Sequence, residues 1–369
     1  MSQQIDRETL AQILQAQNVE GLPFSELLRL FREEGETKDF LPDGAFQVDP
    51  RNGDQILFNS SRARRPHDNL PTPSAVPEAS LACPVCQGHT TGVIDVADLS
   101  EGFTFINKNL YPILYPWEVD REPEERHMAH GLHFLQWTSS LHDRDWHNMP
   151  LTDRIVVMQR LAALEGRLLR DAGEFLPLCE PHGNGTGDHA FVLIIKNYGR
   201  LVGGSLAHGH QQIALSNIMP RRFLDNQRFE KDRGETFCAY LLRENPAELL
   251  IRDYGPAVLS VPYFMRRPYD MMLLVRDSGK KHLHELTEAE IAAVAEGWHD
   301  AIRAIRSVMP QIDKEIAYNV ITHNGPGAGL YFEFLPYTQE SGGFEQLGLF
   351  ICQGNPKDAA ARIREHLER

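Results

Sequence analysis

The chain has 369 residues, 42% hydrophobic and 24% charged, with a formal net charge of −14 at pH 7. This is an ordinary soluble globular composition, long enough for one large domain or two fused ones. The acidic balance argues against a general nucleic-acid or membrane-surface binder, although local positive charge can still hold a nucleotide. No apolar stretch is long enough to span a bilayer, and Met1–Arg7 lacks the start of a signal peptide. Five cysteines in a chain this long do not suggest a disulfide framework, so a reducing, cytoplasmic setting is expected.

Residues 5–34 predict one or two amphipathic helices, with Leu10, Ile13 and Leu14, then Leu27, Leu28 and Phe31, at helical spacing around Gly21-Leu22-Pro23. Residues 35–80 are polar and rich in proline and glycine, with short strand-like runs such as Gln55-Ile56-Leu57-Phe58. Cys83-Pro84-Val85-Cys86 follows, then strands at about 103–107 and 131–139. Thr152 is expected to cap a helix reaching about residue 172, with Ile155, Met158, Leu161, Leu164 and Leu168 on one stripe. Val192-Leu193-Ile194-Ile195 and the apolar residues after Gln212 suggest two further strands.

The second half repeats this order. Strands are expected at about 258–262 and 271–276, then a helix opened by the capping box Thr287-Glu288-Ala289-Glu290. Its stripe is Ile291, Val294, Trp298, Ile302 and Ile305. Strands at about 316–321, 330–335 and 347–352 and a C-terminal helix from about 357 complete the pattern. Strands interleaved with long helices indicate α/β or α+β architecture.

Chemistry concentrates in His208-Gly209-His210-Gln211-Gln212. A strand sends alternate side chains to one face, so His208, His210 and Gln212 would share a surface. An imidazole can be a nucleophile or a metal ligand, and an amide can hold developing negative charge. Two partly buried histidines on a strand would look the same. Upstream, Asn197 and Ser205 can hydrogen-bond phosphate oxygens, and Gly199, Gly203 and Gly204 allow close backbone approach. Cys83 and Cys86 have the spacing to chelate one zinc or to form a redox dithiol.

The run from Asn197 to Gln212 resembles the active-site segment of the galactose-1-phosphate uridylyltransferase family, a branch of the histidine-triad superfamily. Asn-x-Gly, Gly-x-Ser and His-x-His-x-Gln all stand at the family spacing. The resemblance implies an α+β fold of two fused histidine-triad-like halves, each an antiparallel sheet with packed helices. It covers roughly residues 50–365. The expected division is a helical extension at 1–45, a first half at 46–230 carrying the zinc site and nucleophile, and a second half at 231–369. His210 would attack the α-phosphorus of a nucleotide-sugar, with Gln212 and Ser205 as the further catalytic residues.

The same resemblance implies a zinc held by Cys83, Cys86 and His208 plus one more histidine. Counting from the strand at 131–139 gives His142; counting back from the following helix gives His147, because an extra turn lies between them. His142 is favoured. His89 is a weaker candidate. Gly279, Gly329 and Tyr331 stand where some family members carry histidines of a second metal site, so no second metal is expected. His282 and His284 read as a polar approach to a helix. By the same match Arg62 and Arg65 face phosphates, Asn109 contacts the nucleoside, Asn197 and Gly204 belong to the substrate site, and Glu345 accepts sugar hydroxyls. Asn109-Leu110-Tyr111-Pro112 is similar to the ADP-glucose phosphorylase branch.

The implied function is transfer of a nucleoside monophosphate from a nucleotide-sugar to a sugar 1-phosphate through a nucleotidyl-histidine. The alternatives are a phosphorylase using inorganic phosphate and a zinc-stabilised nucleotide-binding protein without turnover. The sequence leaves the oligomeric state open, a homodimer among the options.

Overall fold

The computed structural model describes residues 3–33, 40–49, 54–61, 83–117, 128–175 and 190–368. The polar entry is helix α1 (Arg7–Ile13), capped by the Asp6 carboxylate, and helix α2 (Phe24–Glu33). The buried side of α2, including Leu27 and Phe31, joins the main core, whereas Ile5 and Leu10 pack beside Cys83. A small antiparallel pair follows, β1 (Phe46–Val48) and β2 (Gln55–Leu57).

The rest of the chain is α+β and built on one antiparallel sheet. Its first-half strands are β3 (Val93–Asp98), β4 (Phe103–Lys108), β5 (Gly131–Trp137), β6 (Phe191–Tyr198) and β7 (His210–Ser216). The second half adds β8 (Leu250–Asp253), β9 (Ala257–Ser260), β10 (Met271–Val275), β11 (Tyr318–His323) and β12 (Tyr331–Pro336). The spatial order is β3-β4-β5-β7-β6-β11-β12-β10-β9-β8. Two five-stranded arrays therefore join edge to edge, Ile195 of β6 pairing with Ile321 of β11.

Alternation along each strand decides the two faces. Leu132, Phe134, Ile194, Ile213 and Leu215, with Leu273, Val320 and Phe332, point into a core closed by helices α3 (Leu151–Phe175) and α6 (Glu288–Gln311). Met158, Leu161, Leu164 and Leu168 of α3 are buried, as are Val294, Trp298, Ile302 and Ile305 of α6. The expected capping box is present, Thr287 accepting from Glu290 N and Glu290 from Thr287 N. The opposite face of β4 and β5 carries Phe105 and Trp137 against Cys83 and Val85.

Several elements depart from the sequence pattern. Helix α3 begins at Leu151, so Thr152 lies inside the first turn rather than capping it. Helices α4 (Arg221–Arg233) and α5 (Phe237–Glu244) were not anticipated; α4 is mostly charged and leaves only Phe223 and Asn226 buried. The run 347–352 is not a strand. Gly348 has φ +86°, Leu349 N bonds back to Phe344 O, and Leu347 and Leu349 are 85% and 62% exposed. Short helix α7 (Gly343–Gln346) precedes this run, and helix α8 (Pro356–Glu368) ends the chain. No helix among the described residues is long and apolar enough to cross a membrane.

Candidate active site

Cys83 and Cys86 stand on a tight turn between the N-terminal helices and β3, its carbonyls tied by Gln87 N to Cys83 O and Gly88 N to Val85 O. His208 comes from the turn before β7, and His142 from the turn after β5. Their four donor atoms lie within 4.8 Å of one another. The Cys86 Sγ is 3.4 Å from His208 Nδ1 and 3.7 Å from His142 Nδ1. A carbonyl can only accept, so the 2.7 Å contact between His208 Nε2 and Ser139 O puts the proton on Nε2 and frees Nδ1 for the sulfurs. Two thiols and two imidazoles with one ring nitrogen fixed by a carbonyl form a donor set suited to a metal ion. Hydrogen bonding from Cys86, ahead of that from His142 and His208, holds the Cys83 thiol well below its ordinary range. Cys86 is pushed up by its bond to Cys83. His147, the competing histidine, is outside this group, and burial pushes it down to about 4.

β7 begins at His210, so His208 lies just ahead of the strand rather than on it. His210 and Gln212 keep the expected shared face. His210 is 5% exposed, and its Nδ1 lies 2.8 Å from the carbonyl oxygen of His208. That contact makes Nδ1 the protonated nitrogen and leaves Nε2 with its lone pair. Burial pushes the pKa of His210 down to about 4, keeping the ring neutral near pH 7. The Trp137 ring, its cross-strand partner, is tilted against it at 4.8 Å between centroids.

His210, Gln212, Ser205 and Asn109 line one cavity of about 290 Å³, together with Trp137 and Val85. Asn109 follows the end of β4, its Oδ1 accepting from Tyr111 N at 2.9 Å and its Nδ2 against the His133 ring. Asn197, Gly204 and Glu345 are not among the described lining residues. Asn197 Oδ1 accepts from Asn319 Nδ2 at 2.7 Å. Gly204 packs on the Gly199 backbone, where a Cβ would come to 2.8 Å from Gly199 N. The Glu345 carboxylate accepts from Gly342 N and Ile351 N. Arg62 and Arg65 lie outside the described residues.

Trp137 and His89 line the cavity without having been assigned to it. Pairing β5 against β7 in register would have found Trp137. In the second half Tyr331 stacks on His323 at 4.3 Å, and a Cβ on Gly329 would come to 2.8 Å from Thr236 Oγ1. His284 bonds the buried Glu165 at 3.0 Å through Nδ1, and Asn324 binds the same carboxylate.

A solved structure of uridylyltransferase superposes with a TM-score of 0.64 at 21% identity, covering 88% of this chain and 98% of that one. The chain has the uridylyltransferase fold. An ADP-glucose phosphorylase from Arabidopsis thaliana, solved with bound ADP-glucose, shares it with a TM-score of 0.59 at 17% identity, over 87% of this chain and 98% of that chain. In sequence, the ADP-glucose phosphorylase of Arabidopsis thaliana is 21% identical over 341 residues, 86% of this chain and 91% of that protein. No family model matches the chain. The resemblance read from the motifs thus extends over most of the uridylyltransferase fold.

Proposed function

We propose that the protein is a nucleotidyltransferase working by double displacement through His210. The Nε2 lone pair attacks the α-phosphorus of a nucleotide-sugar. The bond from phosphorus to the bridging oxygen breaks, and the sugar 1-phosphate leaves with that electron pair, needing no strong general acid. The modified ring keeps its Nδ1 proton, and the His208 carbonyl steadies the positive charge that develops there. A phosphate oxygen of the acceptor then attacks the same phosphorus, and the electron pair of the broken N–P bond returns to Nε2. Gln212 is assigned a donor role toward the transferring group, and Ser205 a second one. The observation that carries this reading is the bond from His210 Nδ1 to the His208 carbonyl, with Nε2 left for the cavity that Gln212 also lines.

The acceptor is proposed to be a sugar 1-phosphate. Inorganic phosphate is the second reading, favoured by the similarity to a protein named ADP-glucose phosphorylase and by Asn109 and Tyr111 at the cavity. Arg62 and Arg65 are proposed for phosphate oxygens, Asn109 for the nucleoside and Glu345 for sugar hydroxyls. Asn197 and Gly204 would shape the turn that presents Ser205. The metal is proposed to be a single structural zinc on Cys83, Cys86, His142 and His208, because four protein ligands leave no position open for water. It would hold the turns around the nucleophile. Free thiols at Cys83 and Cys86 suit a reducing compartment such as the cytoplasm. Residues 46–230 and 231–369 are proposed as the two halves, with 1–45 as an extension.

Exchange of labelled sugar 1-phosphate or labelled phosphate into a panel of nucleotide-sugars tests the reading. Label entering a nucleotide-sugar from a sugar 1-phosphate supports transfer, and release of a nucleoside diphosphate with phosphate supports phosphorolysis. Tight nucleotide binding without either exchange would establish a binding protein instead.

A further inference from the structure

On β6 the alternation Val192, Ile194, Lys196 puts a lysine where the pattern calls for an apolar side chain. Lys196 is 1% exposed. Its ammonium lies 2.9 Å from Asp145 Oδ2, 3.1 Å from Asp145 Oδ1 and 3.3 Å from the carbonyl oxygen of His210. Asp145 is also buried, and its Oδ1 accepts from Trp146 N at 2.9 Å.

The turn that delivers Asp145 is the one that left His142 and His147 competing in the sequence. Asp145 N donates to Asn148 Oδ1 at 2.8 Å. Trp146 packs on Trp298 of α6 at 4.9 Å, and its carbonyl accepts from His299 Nδ1 at 2.9 Å. Asp145 lies directly against Gly209, where a Cβ would come within 2.5 Å of the Asp145 Cγ.

A buried ion pair is a poor source of net stability, because desolvation offsets the attraction and a well-packed apolar pair can serve as well. What it supplies is direction. Three successive carbonyls of the nucleophile turn are engaged. His208 O meets His210 Nδ1, Gly209 O accepts from Thr138 N, and His210 O accepts from Lys196 Nζ. The third contact comes from behind the strand, and neither Lys196 nor Asp145 is among the described residues lining the His210 cavity.

We propose that the Lys196–Asp145 pair is a positioning device for His210, fixing the His208–Gly209–His210 main chain so that the imidazole faces the cavity with Nε2 free. This rests on the assignment of His210 as nucleophile. Misplacing an attacking atom by about 1 Å can lower a rate about 10²-fold, so the pair acts on turnover more than on affinity.

Removing one partner would leave a lone buried charge and confuse folding with function. The double variant Lys196→Met/Asp145→Leu removes both charges at similar volume. Its metal content and thermal midpoint should hold, KM should change by less than about two-fold, and kcat should fall about 10- to 100-fold. Lys196→Gln/Asp145→Asn, which can return a neutral donor to the His210 carbonyl, should recover part of that loss. Imidazole nitrogen NMR should show His210 protonated at Nδ1 in the parent and divided between tautomers in the Met/Leu variant. That signal needs no substrate. A parent without nucleotidyl transfer would overturn the nucleophile assignment, yet leave the positioning readable. If the Met/Leu pair does not fold, Gly209→Ala, whose methyl displaces Asp145, should give the same kcat and tautomer changes. Unchanged kcat with an unchanged His210 signal overturns the proposal, as does a loss confined to KM.

Discussion

The carbonyl oxygen of His208 lies 2.8 Å from Nδ1 of His210, so the residue that offers one ring nitrogen to the sulfur cluster also sets the tautomer of the proposed nucleophile. Loss of the metal should therefore reach the chemistry through the main chain. Cys83→Ser is expected to lower metal content, stability and turnover together. Elemental analysis of the parent should find about one equivalent, as a single tetrahedral site requires. Two tightly held equivalents would contradict a single site.

Covalent catalysis makes a direct prediction at His210. Mixed with a nucleotide-sugar, the parent should gain the mass of one nucleoside monophosphate, and His210→Gly should not. An adduct surviving in the variant would move the nucleophile elsewhere.

Gln212 shares the His210 face of β7 and the same cavity. Its amide should bond most strongly as charge shifts during transfer, and such a bond lowers the barrier rather than tightening binding. Gln212→Ala should reduce kcat by roughly 10²–10³, the loss seen for one donor in comparable oxyanion sites. Metal content and nucleotide affinity should stay near the parent. A collapse of affinity with intact kcat would make Gln212 a binding residue.

Two buried histidines should weaken the fold as the pH falls. Burial, reinforced by Arg32 and Arg306 respectively, pushes His130 and His147 down to about 4. An unfolded histidine titrates near ~6.5. Between these values each of the two histidines binds more protons unfolded than folded, so their contribution to stability rises with pH. The contribution is complete above about 6.5 and is lost as pH falls to about 4. Urea midpoints across this window should follow that slope, and His147→Asn should flatten it. An unchanged slope in the variant would remove His147 from the account.

The cysteine–histidine cluster and the proposed nucleophile were legible because their residues sit in short patterns whose spacing survives in one dimension: Cys-x-x-Cys, and His-x-His-x-Gln. The stripes on α3 and α6 were legible because both helices bury one face along most of their length. His142 and His147 could not be separated by spacing, since a compact turn hides which end is held; the fold brings the His142 donor within 4.8 Å of those of Cys83, Cys86 and His208 and leaves His147 outside that group. Helix α4 escaped because its charged sequence gives little periodicity. The run 347–352 misled because apolar content resembles a strand wherever the turn residue Gly348 is discounted. Trp137 and Lys196 escaped for a different reason: their roles depend on strand register, which no single segment carries.

The junction of β6 with β11 has a consequence for how the molecule comes apart. β6 bonds to β7 on one edge and to β11 on the other, so no seam between the halves is free of main-chain hydrogen bonds. Melting should then be a single cooperative event rather than the successive loss of two modules. Fragments produced by cleaving the chain near residue 245 would each expose a raw strand edge, the ordinary starting point for aggregation.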